Sequence, residues 1–228
     1  MYATGCYWWK CQFPTSVGWV DAALLDAITV RVIEVTPTMG STTTLIVGDP
    51  LEVSIGFDRS VAVAREHLVM SSVRWGAMSA SSFGYEPEQK RAVWTFAGLK
   101  PETWTGTLSD SVTDEENGTA LDGEISDPLD PFALPSGNRQ PGGAAVFAFR
   151  LRTVYGDFDM DGDVDLVDFA HFQTCYHGPN VPVAPQCADA NVDGPPLSAD
   201  VDVDLTDFGI FQLCYSGPNR RPRINCAD

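Results

Sequence analysis

Asp157-Phe158-Asp159-Met160-Asp161-Gly162-Asp163-Val164-Asp165-Leu166-Val167-Asp168 is the stretch that decides how this chain is read. Acids alternate with single spacers from Asp157 to Asp165, and a glycine interrupts them at one place only. Calcium takes about six to eight oxygens, and a loop of about twelve residues delivers them from places 1, 3, 5, 7, 9 and 12, with glycine at place 6 for the sharp turn. Those places fall on Asp157, Asp159, Asp161, the main-chain carbonyl of Asp163, Asp165 (directly or through water) and Asp168, and the turn falls on Gly162. Val164, at the eighth place, is expected to turn inward and pair with a second loop. A metal-free acidic run is the competing reading. Carboxylates this crowded repel by about 1–4 kcal/mol per close pair, which favours a bound cation. An all-oxygen set disfavours zinc and copper. Aspartate rather than glutamate at the last place has a shorter arm, so the following helix is drawn closer or only one oxygen binds.

The stretch has a copy. Asp163-Val-Asp-Leu-Val-Asp-Phe-Ala-His-Phe-Gln-Thr-Cys-Tyr-His-Gly-Pro-Asn180 returns 39 residues later as Asp202-Val-Asp-Leu-Thr-Asp-Phe-Gly-Ile-Phe-Gln-Leu-Cys-Tyr-Ser-Gly-Pro-Asn219. Cys187-Ala-Asp189 and Cys226-Ala-Asp228 keep the same offset. Such a repeat marks one folding unit used twice. Each copy predicts a loop and then a helix with Leu166, Phe169, Phe172 and Tyr176, or Leu205, Phe208, Phe211 and Tyr215, along one face. Gly178-Pro179 and Gly217-Pro218 stop the helices. One aromatic stripe alone has nothing to cover it, so the two helices are expected to pack on each other.

The second loop is interrupted. Asp189-Ala-Asn191-Val-Asp193-Gly194 reads as its first six places and Asp202-Val-Asp204-Leu-Thr-Asp207 as its last six, with 195–201 inserted between them. Its expected ligands are therefore Asp189, Asn191, Asp193, Asp202, Asp204 and Asp207. A contiguous count back from Asp207 puts Pro196 and Ser198 at the first and third places and Val201 where glycine belongs. A weak or lost second site is the alternative.

Residues 156–228 resemble a dockerin type I module, the bacterial EF-hand relative with a duplicated calcium loop and one helix per repeat. The resemblance implies two calcium ions, a pseudo-two-fold helix pair and docking to a cohesin partner in multi-enzyme assemblies. At places 10 and 11, where many cellulosomal dockerins carry small hydroxyl residues, this chain has Leu166-Val167 and Leu205-Thr206. Its Asp-Val-Asp-Leu-x-Asp-Phe signature is more similar to the dockerin-like tails of large secreted bacterial proteins.

Six cysteines allow fifteen pairings, and the repeat register selects among them. Cys175 and Cys187 are twelve apart, as are Cys214 and Cys226, so two bridges are expected at equivalent places. Each contributes about 3 kcal/mol by loop closure. Cys6 and Cys11 form a candidate third bridge. His171, Cys175 and His177 are a weaker zinc candidate, because no Cys-x-x-Cys pair accompanies them. Bridges and calcium loops together point outside the cytoplasm, to an extracellular or cell-surface protein. Met1-Tyr-Ala-Thr-Gly-Cys-Tyr-Trp-Trp-Lys10 does not read as a secretory leader. The chain is accordingly expected to be the C-terminal piece of a longer gene. No segment reaches the roughly 18 apolar residues of a membrane span.

Residues 1–27 carry no assignment. Residues 28–154 alternate as β-strands at 28–35, 51–57, 67–75, 91–97, 103–109 and 144–152, divided by turn-rich stretches. The expected class is mainly β, a β-sandwich followed by the small helical calcium module of 155–228. Phe57-Asp-Arg-Ser-Val61, Val112-Thr-Asp-Glu-Glu-Asn-Gly-Thr-Ala-Leu-Asp-Gly123 and Pro141-Gly-Gly-Ala-Ala-Val-Phe-Ala-Phe resemble bacterial Ig-like domains of surface and secreted proteins. Trp94 shares a face with Phe96, Trp104 with Leu108 and Trp75 with Val73, which predicts core positions. Only Trp8 and Trp9 are left for a carbohydrate surface, the less favoured reading. Asp114-Glu-Glu-Asn-Gly with Asp122 and Glu124 is expected to be a solvated turn, with another calcium as the alternative.

No Gly-x-Ser-x-Gly, phosphate loop, dinucleotide fingerprint or His-Glu-x-x-His occurs, and the three histidines suggest no triad. A net charge of −17 opposes nucleic acid and anionic membranes. The reading is a non-catalytic, calcium-binding extracellular module for protein interaction or surface assembly. The alternative is an accessory part of a polysaccharide-degrading enzyme whose catalytic domain is absent from this chain.

Overall fold

A computed structural model describes residues 8–13, 16–21, 29–194 and 200–227, the first two stretches as backbone only. The chain divides into two compact units, residues 1–41, 51–97 and 102–150 in the first, and residues 42–50, 98–101 and 151–228 in the second. The fold is mainly β. Among the described residues its strands are β1 (Trp8–Phe13), β2 (Ser16–Asp21), β3 (Val32–Thr36), β4 (Thr42–Leu45), β5 (Leu51–Phe57), β6 (Val61–Ala62), β7 (Leu68–Ser72), β8 (Gly76–Ser79), β9 (Ser82–Glu86), β10 (Arg91–Phe96), β11 (Glu102–Leu108), β12 (Thr113–Asp114) and β13 (Ala145–Thr153). The helices are α1 (Leu166–Cys175) and α2 (Leu205–Cys214).

In the first unit one sheet runs β3-β5-β10-β9 and another β13-β11-β7-β8. β1 and β2 pair antiparallel within the stretch that carried no assignment. Alternation does the work predicted for it along β10, where Ala92, Trp94 and Phe96 are fully buried and the residues between them are not. The Trp94 indole N–H donates to the Arg65 carbonyl at 3.0 Å, so its one polar atom is satisfied. Along β11, Trp104 and Leu108 are buried with Gly106 between them. A Cβ at Gly106 would lie 2.3 Å from the Phe147 ring, so glycine makes the room that ring occupies.

Three expectations change. The stretch 67–75 is not one strand: β7 ends at Ser72, a turn follows, and β8 begins at Gly76. Val73 and Trp75 lie in that turn, exposed rather than in the core, and Arg74 stacks over the Trp75 ring at 4.9 Å. β8 and β9 escaped notice because Gly76, Gly84 and their serines blur the apolar alternation. The acidic turn is solvated at Glu115, Glu116, Asn117 and Glu124, as expected, but not at Asp114 and Asp122. Asp114 is buried and accepts the amides of Glu116 and Asn117 and the Arg59 guanidinium. Burial raises the Asp114 pKa, but the Asn117 and Glu116 amides and Arg59 outweigh it and hold the carboxyl below its ordinary value. Asp122 is fully buried and takes the amides of Asn138 and Arg139 at 2.7 and 2.9 Å. These two carboxylates hold their loops in place through protein donors.

In the second unit the two helices meet through four phenylalanines. Phe169 lies 6.0 and 5.9 Å from Phe208 and Phe211, and Phe172 lies 5.8 and 5.7 Å from the same pair, centroid to centroid. Phe172 and Phe211 are buried with Cys175 and Cys214 beside them. The predicted stripe is narrower than expected. Leu166 and Leu205 open the helices and stand 67% and 70% exposed, and Tyr176 and Tyr215 lie just past the helix ends. Ile46 joins Val154, Val164, Phe211 and Cys214 in one of the unit's two apolar clusters. Both predicted bridges are present, Cys175–Cys187 with Cα atoms 5.4 Å apart and Cys214–Cys226 at 5.0 Å. The Cys6–Cys11 candidate lies outside the described residues. Ten-residue helices are marginal alone in water, so this unit depends on its loops, bridges and small core.

Candidate metal centre

Asp165 and Asp204 begin the two helices and fix the loops that precede them. Each accepts an amide two residues on, from Val167 and from Thr206, both at 2.7 Å. Asp168 and Asp207, three residues further, reach back to the amides of Asp165 and Asp204 at 2.8 Å. This reciprocal cap turns the last two acids of each loop toward its centre. The second oxygen of Asp168 accepts from Phe158 at 2.7 Å and Asp159 at 3.3 Å, which folds the start of the loop over its end. Asx bonds from Asp161 to Asp159 and from Asp163 to Asp161 curl the middle. Gly162 has φ +97°, and a Cβ there would lie 2.8 Å from the Val47 carbonyl, so this place needs glycine twice over.

The carboxylates converge as a result. Asp157, Asp159 and Asp168 bring oxygens within 4.8 Å of one another, and so do Asp163, Asp165 and Asp168. Asp161 is held in the loop by its bond to the Asp163 amide but is in neither group. Asp163, expected to offer only its main-chain carbonyl, brings its side chain to the second of these groups. Asp157 is 3% exposed, and neither of its oxygens has a hydrogen-bond partner. Burial, with the charges of Asp168, Asp161 and Asp159 beside it, pushes its pKa up to about 6 against the weak pull of the Gly162 amide, which lies outside hydrogen-bond geometry. Burial and the Asp161 charge raise Asp159, and burial raises Asp168 in spite of its three amides. Buried carboxylate oxygens without a donor are costly unless a cation meets them. The donors are all oxygen, which suits a hard divalent ion. The residues present therefore fit calcium.

The repeats brace each other. The Val164 carbonyl accepts from Ser216 and Gly217, and the Val203 carbonyl from His177 and Gly178. Asn219 donates to Asp163 at 2.5 Å and Asn180 to Asp202 at 2.6 Å. Val164 thus pairs with the turn after the opposite helix, where pairing with the opposite loop was expected. The outer oxygens of Asp163 and Asp202 are consumed in this brace, and the inner oxygen of each is buried with no partner.

The second loop corrects the expected register. Asp207 accepts from Val192 at 2.8 Å and Asp193 at 3.3 Å, matching Asp168 with Phe158 and Asp159. Asp193 therefore stands where Asp159 does, and Asn191 where Asp157 does. Asp189, expected at the first place, instead meets His171 at 3.1 Å and is in neither acidic group of this loop. Its place in the repeat explains this: Cys187-Ala-Asp189 matches Cys226-Ala-Asp228, so Asp189 belongs to the end of the first copy. The structure adds Asp200, which converges with Asp193 and Asp207, while Asp202, Asp204 and Asp207 form the companion group. Asp200 lies 39 residues after Asp161, the offset of the whole repeat, and that signal was available in the sequence. Burial and the charges of Asp207 and Asp200 push the Asp193 pKa up to about 6. The zinc candidate dissolves, because Cys175 is bridged, His171 faces Asp189 and His177 bonds the Cys175 carbonyl.

No protein-family model matches the chain, and no curated protein matches it. Among solved structures, CopC from Methylosinus trichosporium OB3b is similar over 54% of this chain and 94% of its own, at 8% identity and a TM-score of 0.36. No helix among the described residues is long and apolar enough to cross a membrane.

Proposed function

We propose that the chain is a non-catalytic, extracellular calcium-binding module in which residues 155–228 fold around calcium. The observation that carries this reading is Asp157, a buried carboxylate with two unpaired oxygens inside a ring of further carboxylates. Calcium would supply the missing positive charge. Asp157, Asp159 and Asp163 hold it from the loop, with Asp161 and Asp165 at its edge. Asp168 already spends one oxygen on two amides and the other on one, which leaves it a single well-placed lone pair. Those amides support one-oxygen binding by the short aspartate arm at the last place. The β unit is read as an Ig-like sandwich that acts as a spacer, supported by its two sheets with fully buried inner residues. Leu166, Val167 and Leu205, all more than half exposed at places 10 and 11, support a protein-interaction role, with a cohesin-like partner as the natural candidate. The two disulfides support an oxidising location.

Asp157→Asn tests the central residue. Its expected effects have opposite signs: calcium affinity of the first loop falls by about tenfold or more, and the calcium-free second unit becomes more stable because a buried charge is gone. Equal affinity in the variant and the parent, measured by calcium titration, would remove Asp157 from the site.

Acidity gives a second test. Asp157 and Asp193 sit at about 6 without metal, against about 3.9 in an unfolded chain. A carboxyl raised on folding stabilises the fold below its unfolded pKa, and that contribution is lost as pH rises through its folded value. In metal-stripped buffer the second unit should therefore regain part of its helical signal near pH 5 that it lacks near pH 7.5. With calcium present the order reverses, because protons and calcium compete for the same oxygens. Helical circular dichroism in metal-stripped buffer decides the matter, and a signal that falls further on acidification contradicts it.

A further inference from the structure

We propose that the Cys214–Cys226 bridge of the second repeat positions the metal-facing groups of the first loop, so that calcium affinity there is governed by the opposite repeat's bridge more than by Cys175–Cys187. The proposal rests on the calcium reading above and adds a coupling which that reading does not require.

The hydrogen bonds carry it first. The bridge spans 12 residues and encloses Ser216, Gly217 and Asn219. The Ser216 and Gly217 amides donate to the Val164 carbonyl at 2.9 and 3.0 Å, and the Val164 amide donates to Ser216 Oγ at 3.0 Å. That last bond aims a ligand. The Val164 N–H and the Asp163 C=O belong to one planar peptide unit, so fixing the first fixes the direction of the second. The Asp163 carbonyl is the group expected at the seventh place of the loop. The Asn219 amide meanwhile takes Asp163 Oδ2, which leaves Oδ1 buried with no partner. Both metal-facing groups of Asp163 are therefore set from inside the ring that Cys214–Cys226 closes.

Packing follows the same crosswise plan. Val164 of the first loop lies in one apolar cluster with Cys214, and Cys226 packs against it. Val203 of the second loop lies in the other cluster, with Cys175 and Cys187. The segment closed by Cys175–Cys187 likewise serves the opposite loop, through His177 and Gly178 on Val203 and Asn180 on Asp202. Phe158 packs against both clusters and so favours neither bridge.

The bridge matters because the enclosed segment has little else to hold it. Residues 218–221 and 223–225 are exposed, and its ion pair from Arg221 to Asp49 lies at the surface, where such pairs contribute little. Opening the ring returns conformational freedom to that segment, and calcium binding in the first loop must then supply the ordering.

Calcium titration of the full chain, followed at the Gly162 amide resonance by NMR, reads the first loop alone. Cys214→Ser/Cys226→Ser should raise the calcium midpoint at Gly162 by about tenfold more than Cys175→Ser/Cys187→Ser does. Equal shifts would show that the bridges act only through overall stability, and a larger shift from Cys175→Ser/Cys187→Ser would reverse the assignment; either overturns the proposal. Ser216→Ala keeps both bridges and decides the matter if a double variant lacks helical signal at saturating calcium. It leaves the buried Val164 amide without its acceptor and should raise the same midpoint by about threefold or more. A Ser216→Ala chain that titrates like the parent overturns the positioning role and spares the calcium reading. A parent whose Gly162 resonance ignores calcium removes both.

Discussion

When calcium is stripped with a chelator, the helical signal of α1 and α2 disappears while tryptophan emission stays where it was. All six tryptophans, Trp8, Trp9, Trp19, Trp75, Trp94 and Trp104, belong to the first unit, and the second has none. Emission therefore reports one unit and helical circular dichroism the other. The expected size follows from linkage: at free calcium about a hundredfold above the dissociation constant, each site adds about 2.7 kcal/mol. Small domains hold only about 5–15 kcal/mol in total, and this one has two ten-residue helices and a small core. Two empty loops remove a large part of that and leave six crowded carboxylates in the first. Loss of both signals together would show that the units do not melt separately. Loss of neither would show that the loops fold without metal.

Phe211→Ala is expected to be the most damaging single substitution in the second unit. Phe211 is 3% exposed, and its ring lies 6.2 Å from Phe158, 5.9 Å from Phe169, 5.7 Å from Phe172 and 6.2 Å from Tyr215. It also packs with Val164, so it joins the first loop to the opposite helix. Truncating a buried phenylalanine costs about 3–5 kcal/mol in transfer and cavity terms. Leu213→Ala, on the same helix but 68% exposed, should stay within about 0.5 kcal/mol of the parent. Urea unfolding of the calcium-loaded protein, followed at the helix signal, separates the two. Equal midpoints for the two variants would mean that the phenylalanine cluster does not hold the helices together.

Much of this unit was legible because its signals are local. The first loop, its glycine and the helix starts sit at short fixed spacings that backbone geometry dictates, and the cysteine pairs follow from the repeat register. The second loop was legible only in part. Asp189-Ala-Asn191-Val-Asp193-Gly194 looks like the start of a contiguous loop, and that short pattern outweighed the longer offset. The 39-residue register already placed Asp189 with the cysteine before it and Asp200 with Asp161. A repeat offset is the stronger constraint, since one fold used twice puts equivalent residues at equivalent places.

The β unit shows the other limit. Trp94 and Trp104 declared themselves through alternation, but Val73 and Trp75 obeyed the same rule and are exposed in a turn. Alternation cannot mark where a strand stops when no glycine or proline stands inside the run. Asp114 and Asp122 read as solvated because they are charged. The Arg59 guanidinium on Asp114 and the Asn138 and Arg139 amides on Asp122 come from places the sequence does not connect to them. Nor did sequence foresee Ile46, from between β4 and β5, in the apolar cluster under Val164.

Calcium titrated calorimetrically into the decalcified full chain tests the central claim most directly. The account predicts uptake of two equivalents, with the helical signal rising as the first loop fills. A flat thermogram with an unchanged spectrum would contradict it.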